Sequence, residues 1–356
     1  MSSKVYFIPA SGEESPKLIS EKTDKLFLEL GLNDKIEKGY FVGLKIHFGE
    51  KGNKGYIKPP WLLSMISSIK KKTSRVFMTD TNTLYIGHRS NSIDHLNLAW
   101  GHGFSQAALG IPILIADGLI GRDYGEIEAN LFRINSAKIG SAFINSDMLL
   151  CLSHFTGHML TGFGAALKNL GMGCASRAGK LEQHSDVHPR VNADLCTNCS
   201  TCINYCPTGA LIQKGDSAFI LEEKCIGCGE CLVVCSVGAI RLSWDEDTRR
   251  IQEKMTEYAY CAWKNFEGKI GFINFLINVT RNCDCMAKEE PAVIEDIGIL
   301  SSLNPVAIDQ ASVDLIEKRN TKGLSRITHN VDWSIQIKHG ERIGLGSTDY
   351  ELVEVD

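Results

Sequence analysis

Long hydrophobic runs are missing from this sequence: nowhere do about eighteen apolar residues stand together, so no membrane-spanning helix is expected. No secretory signal is expected either, because Met1 to Lys4 leads only into the short apolar run Val5 to Ile8, with no cleavage pattern behind it. Nor is there an excess of charge of one sign. Lysine and arginine number 38 against 42 aspartates and glutamates, a formal net charge of −4 that leaves no electrostatic footprint for nucleic acid. Two nucleotide motifs fail on spacing. Gly173 to Gly179-Lys180 encloses one residue too many for a P-loop, and Leu181 stands where Ser or Thr is required. Gly162 and Gly164 are followed by Leu167 at the third glycine position of a dinucleotide fingerprint. ATP and NAD therefore have no support in the sequence.

Cysteine, by contrast, is abundant. Of the 13 in the chain, eight fall between Leu195 and Ile240 in two copies of one spacing. Cys196, Cys199 and Cys202 are separated by pairs of residues and Cys206 follows before Pro207; Cys225, Cys228, Cys231 and Cys235 repeat the pattern 29 residues later. Three thiolates at this spacing can wrap one face of an iron-sulfur cubane, while the fourth cysteine reaches the neighbouring cluster. The spacing assigns Cys196, Cys199, Cys202 and Cys235 to one 4Fe-4S cluster, and Cys225, Cys228, Cys231 and Cys206 to a second. Structural zinc is the rival, but zinc modules bring two C-x2-C pairs together and have no use for a third cysteine at that spacing or for a Cys-Pro. A disulfide framework fits less well in a long chain with no export signal. Small residues such as Gly227 and Gly229 let backbone N–H groups approach the sulfurs. The stretch resembles bacterial two-cluster ferredoxins over its whole length, which implies one-electron transfer between low-potential clusters.

With 356 residues and 44% hydrophobic content, the chain can bury a large core beside this small module. Val5 to Ile8, Tyr40 to Phe48, Arg75 to Thr79, Ile111 to Ile115, Asp147 to Leu152 and Ile270 to Val279 read as strands. Helical spacing appears over Ser15 to Leu30, from Pro59 to Lys72, over Ile251 to Trp263 and after Asn304-Pro305. Gly121 to Ser136 reads as irregular, and Gly179 to Pro189, with His184 and His188, as a linker. Alternating strands and helices predict an α/β fold with a mostly parallel sheet and an inserted α+β, two-cluster ferredoxin-like module. The expected division is 1–188 and 244–356 for the two parts of the α/β domain and 189–243 for the module. Two separate flanking domains would also accommodate the pattern.

Functional groups collect at the carboxyl ends of parallel strands. Two such ends are polar here, His47-Phe48-Gly49-Glu50 and Asp80-Thr81-Asn82-Thr83, and either could equally cap the helix that follows. His95 and His102 read as structural. Downstream of the Asp147 strand, His154 and His158 precede Gly162, Gly164, Ala165, Ala166 and Lys168, so His154, His158 and Lys168 are the candidate catalytic residues. Cys283 and Cys285, one residue apart at a strand end, suit a soft metal or redox use, or are buried small apolar groups; they are close for an unstrained disulfide. Joined by His154 and His158, they make a candidate third metal site. Cys151, Cys174 and Cys261 lack ligand spacing and read as structural.

The run His154 to Cys174, Asp80 to Tyr85, Cys283-Asp284-Cys285 and Leu303 to Gln310 are similar to the domain-of-unknown-function 362 family, described as uncharacterised iron-sulfur centre proteins. The resemblance implies a ferredoxin module joined to an α/β domain of undetermined activity. The functional expectation is an iron-sulfur oxidoreductase of the cytoplasm, relaying single electrons from a redox partner protein through two 4Fe-4S clusters to a small-molecule site in the α/β domain. The alternative is a non-catalytic electron carrier, or an assembly or docking protein for another metalloenzyme.

Overall fold

A computed structural model describes residues 2–356 except 86, 185–188, 226–228, 242–247, 267 and 321. Its centre is an eight-stranded sheet formed by β1 (Ser3–Pro9), β2 (Val42–Ile46), β3 (Val76–Asp80), β4 (Ile113–Ile115), β5 (Met148–His154), β6 (Ile270–Leu276), β7 (Gly298–Ser302) and β8 (Tyr350–Glu354). Their order in space is β8-β1-β7-β6-β5-β2-β3-β4. β7 runs antiparallel to β1 and β6, and the other neighbouring pairs are parallel. Strands β2, β3, β5, β6 and β7 are buried along their whole length, as a sheet covered on both faces requires. The architecture is thus the mixed α/β fold with a mostly parallel sheet that the sequence predicts. Strands from both sides of the cysteine stretch lie in this one sheet.

Helices α1 (Pro16–Glu29) and α2 (Leu63–Lys70) cover one face, where Ile19, Leu26, Phe27, Met65, Ile66 and Ile69 join a core with Leu44 and Ile46. Ser15 caps α1 by accepting a hydrogen bond from the Leu18 N–H, as its place before Pro16 suggests. The opposite face carries α3 (Ala166–Cys174), α5 (Thr248–Lys264) and α6 (Pro305–Arg319), and α4 (Arg177–His184) follows α3 directly. The small residues after His158 find a packing role here. A Cβ on Gly171 would come within 2.1 Å of the Met255 carbonyl oxygen, so α3 and α5 meet backbone to backbone.

Some expectations need correction. The segment expected to be irregular contains the hairpin strands Tyr124–Glu128 and Ser136–Gly140. The segment read as a linker from Gly179 begins inside α4, whose Arg177, Lys180 and Gln183 are buried. Their polarity suggests solvent, but partners in the interior satisfy them. Helical spacing from Pro59 resolves into a 3-10 turn, Pro59–Leu62, followed by α2. Strands β7 and β8 are additional to those read from the sequence.

Candidate functional site

The carboxyl ends of β2 and β3 carry a buried polar network. Lys45, near the end of β2, places Nζ 2.9 Å from Asp80 Oδ1 and donates to Asn169 Oδ1 on α3 at 2.7 Å. Asp80, the last residue of β3, also lies 3.9 Å from the Arg89 guanidinium and 3.7 Å from His95 Nε2. Arg89 donates through Nε to Glu50 at 3.1 Å, faces His47 Nε2 at 2.8 Å and donates to the Tyr85 hydroxyl. Charges this deep are retained only when paired, and here the pairs interlock. Burial alone would raise the Asp80 carboxyl, but Lys45 and the neighbouring His95, His47 and Arg89 hold it below the usual carboxylate range. Burial and Arg89 push His47 well below its ordinary value, and burial takes His95 to about 3 despite Asp80. Both imidazoles are therefore neutral near pH 7.

Helices α3 and α4 close the network from the other side. Lys180 donates to the Thr81 hydroxyl and, at 2.7 Å, to the Ala175 carbonyl. Arg177 donates to the carbonyls of Thr83 and Ser90. Asp117 accepts from Asn82, and burial raises its carboxyl to about 6. Lys168 is half-buried and has no hydrogen-bond or ion-pair partner among the described residues; burial first, then Arg89, lowers it to about 8. Lys168 also depresses His158 and His184, both already lowered by burial, with His184 at about 4. His158 accepts or donates at Thr161 Oγ1, 2.9 Å away. The sequence singles out His47, Asp80, His158 and Lys168. It gives no sign of the roles of Lys45, Arg89, Arg177 or Lys180, which carry most of the positive charge; Asp117, at a strand end, was the one accessible signal.

The proposed third metal site is arranged differently. His154 Nδ1 lies 2.9 Å from Asp284 Oδ2, and Nε2 faces the carbonyls of Ile277 and Asn278 at 2.9 and 3.1 Å. All these partners are acceptors, so both ring nitrogens donate and the ring is an imidazolium; burial opposes this, but Asp284 and the three hydrogen bonds raise its pKa. An imidazolium has no lone pair for a metal. Cys283 and Cys285 are bonded to each other as a disulfide, the pairing the sequence disfavoured, and His158 is engaged by Thr161. Around His154 and Cys283, no three His, Cys, Asp or Glu side chains among the described residues are grouped so as to hold a metal ion. Cys151, Cys174 and Cys261 are buried.

The cysteine stretch folds as two matching halves. The 3-10 turns Ala193–Leu195 and Glu222–Lys224 and the short helices Thr201–Tyr205 and Glu230–Val234 repeat at the cysteine register. Strand Arg190–Val191 pairs with Ile240–Arg241, and Leu211–Lys214 with Ser217–Ile220, so the halves interlock. Cys196, Cys199, Cys202 and Cys235 line one small cavity together with Val191, Ala239 and Ile240. Burial raises the Cys202 thiol, and the other three sulfurs add to it. Between the halves, Thr208 next to Pro207 donates to the Lys224 carbonyl at 2.8 Å, tying the chain after Cys206 to the chain before Cys225. Cys231 belongs to the same small core as Cys206 and Cys225, while Cys228 lies outside the described residues. Matching backbone N–H groups, Ala210 and Ala239, each donate to a sulfur at 3.2 Å, that of Cys206 and of Cys235. Burial would raise Cys206, but hydrogen bonds from Thr208, Leu211 and Ala210 leave it lowered.

The two sites meet at Gly229. Its φ of 74° is left-handed, and a Cβ there would lie 2.9 Å from Leu84 and 3.1 Å from Arg177. Ser200, the matching residue of the first half, is also left-handed but carries its side chain. Leu84 and Leu181 are buried in the core of the cysteine stretch. The second half therefore rests on the loop that leaves Asp80, while Cys199 of the first half is exposed.

Similarity to known proteins is limited. The lactate racemase apoprotein from Thermoanaerobacterium thermosaccharolyticum shares 13% identity over 92% of this chain and 57% of its own, with a TM-score of 0.42. A protein from Thermotoga maritima shares 9% identity over 92% of this chain and 59% of its own, with a TM-score of 0.40. The chain thus spans little more than half the length of either structure. No curated protein matches it. One family model covers residues 42–314, most of the sheet and all of the cysteine stretch, and by that match the chain belongs to the domain of unknown function family DUF362.

Proposed function

We propose that the protein is an iron-sulfur oxidoreductase in which residues 189–243, a ferredoxin-like insertion, pass single electrons to the polar site at the ends of β2 and β3. The observation that carries this reading is the cavity shared by Cys196, Cys199, Cys202 and Cys235, which draws its fourth thiol from the second half of the repeat. That donor set fits a cluster: four thiols, one of them already receiving a backbone N–H, line one small cavity. When bound, the two clusters would supply one electron each. Cys206, Cys225, Cys228 and Cys231 would hold the second.

The protein's own groups provide the rest. Exposed Cys199 marks the side open to a redox partner protein, and the Gly229 contact with Leu84 and Arg177 brings the other half against the polar site. There Lys45, Arg89 and Lys180 are held by their anionic and carbonyl partners, whereas Lys168, at about 8, can hold or release a proton at Nζ near neutral pH. The test is iron and sulfide content of anaerobically purified protein. About eight of each per chain supports the reading, with about half lost in Cys235→Ser. Zinc in place of iron, or fewer than about six iron in well-loaded protein, defeats it.

A further inference from the structure

Cys283 and Cys285 are bonded to each other, whereas Cys151, Cys174 and Cys261 of the same domain are free thiols. Where neighbouring thiols stay reduced, a disulfide that forms is usually catalytic or redox-sensing. The pair is held firmly against the polar site. Glu50 N–H donates to the Asp284 carbonyl at 2.8 Å, Met286 N–H to the Cys283 carbonyl at 3.0 Å, and the Tyr85 hydroxyl to the Cys285 carbonyl at 3.5 Å. Between the sulfurs, the Asp284 side chain turns inward to His154. Tyr85 matters most, because its chain neighbour Leu84 is the residue against which Gly229 packs. One dipeptide therefore touches the second cysteine repeat on one side and the bonded pair on the other. The two sulfurs also differ in access: Cys283 is 7% exposed, while Cys285 is only half-buried.

We propose that Cys283 and Cys285 are a redox-active disulfide, opened to a dithiol by electrons arriving through the Leu84-Tyr85 side and closed again by a disulfide-containing substrate that meets Cys285. This rests on the electron-relay reading and names its substrate class. Opening breaks the internal S–S bond with two electrons from a low-potential one-electron donor and two protons from solvent, leaving two thiols. In the return half, Cys285 loses its proton and attacks an external disulfide R–S–S–R′. The Cys285–S–R bond forms, and R′–S⁻ leaves and takes up the proton. Cys283 then loses its proton, attacks the Cys285 sulfur and restores the internal disulfide, releasing R–SH. The more accessible sulfur takes the external attack, since exchange rates depend on access.

Trypsin cleaves after Arg281 and Lys288, placing both cysteines on one peptide whose oxidised form is two hydrogens lighter and takes no alkylating reagent. Full-length protein purified anaerobically is equilibrated with glutathione disulfide and dithiothreitol at varied ratios, then alkylated and digested. The expected result is a reversible transition between the closed and doubly alkylated peptide; two thiols at every ratio would overturn the proposal. Cys283→Ser should trap glutathione on Cys285 at least about tenfold faster than Cys285→Ser traps it on Cys283, and equal rates would remove Cys285 as the entry point. Finally, reduced methyl viologen should open the pair in wild type at least about tenfold faster than in a Cys225→Ser, Cys231→Ser variant, although dithiothreitol opens both alike. Equal viologen rates would overturn the electron route. Iron content of the same samples separates this from failure of the relay: protein without iron that still closes and opens with glutathione disulfide and dithiothreitol keeps the pair and loses the clusters.

Discussion

At Lys168 burial and the neighbouring cations work against the ammonium, and Asp284 and Asp80 offset only part of this without a direct ion pair among the described residues, which is why its pKa falls to about 8 while paired Arg89 keeps its charge. Competitive amine labelling read by peptide mass spectrometry should therefore show half-maximal reactivity of Lys168 near pH 8, well below the ordinary lysine value of 10.5. A midpoint at the ordinary value would show that water reaches it freely. The sign for stability follows. Between about pH 8 and 10.5 the unfolded chain binds the proton more readily than the folded one, so this residue makes the fold more stable as pH rises through that window. Lys168→Met should flatten that part of a urea-midpoint profile. Lys168 itself was legible in the sequence because it rides a run of small residues behind two histidines. Lys45 and Arg89 were not, since a lysine within a strand and an arginine within a loop carry no spacing that announces burial.

Elements bring their own dependence. Helix α3 begins at the site, and its first N–H groups, Ala166 and Leu167, donate at 2.9 Å to Asp309 of α6, whose carboxylate also takes Asn274 Nδ2 at 2.8 Å. A carboxylate from another helix thus does the capping that the residue before α3, Ala165, cannot do for itself. Asp309→Ala should cost about 2–4 kcal/mol in urea denaturation, from a lost cap and two orphaned buried donors; a change below about 0.5 kcal/mol would deny the cap its role. Gly229 and Gly209 offer a matched pair. Both are left-handed, at φ 74° and 62°, but a Cβ on Gly209 meets nothing within 4 Å. Gly209→Ala should cost about 1 kcal/mol of backbone strain, and Gly229→Ala about 1–3 kcal/mol more, because Leu84 and Arg177 must also move. Limited proteolysis between the cysteine stretch and the sheet should rise only in the second variant. The segment read as a linker shows why polarity misleads: α4 is polar because it supplies Arg177 and Lys180 to a buried network.

For the molecule as a whole, the cysteine stretch enters and leaves at one place. Val191 and Ile240 are direct antiparallel partners, so the two ends of the excursion lie side by side. Replacing residues 192–239 by a short glycine linker should leave a chain that still unfolds cooperatively, destabilised by about 3–6 kcal/mol through exposure of Leu84 and Leu181. Far-UV circular dichroism and urea unfolding would read this, and loss of the cooperative transition would mean that the two regions fold only together. Much of this plan follows from local order along the chain. Apolar runs at strand length, Ser15 before Pro16, Asn304 before Pro305 and two cysteine spacings in register are all set by neighbours in sequence, and so the sequence alone determined a mostly parallel sheet short of β7 and β8, two helix caps and the repeat. What only the tertiary structure decided is which distant charges meet. Lys45, Asp80, Arg89, Lys168 and Lys180 come from five segments, and their pairing, depth and proton affinity exist only once the sheet has placed the ends of β2 and β3 under α3 and α4 and has excluded the water that would otherwise solvate each of them.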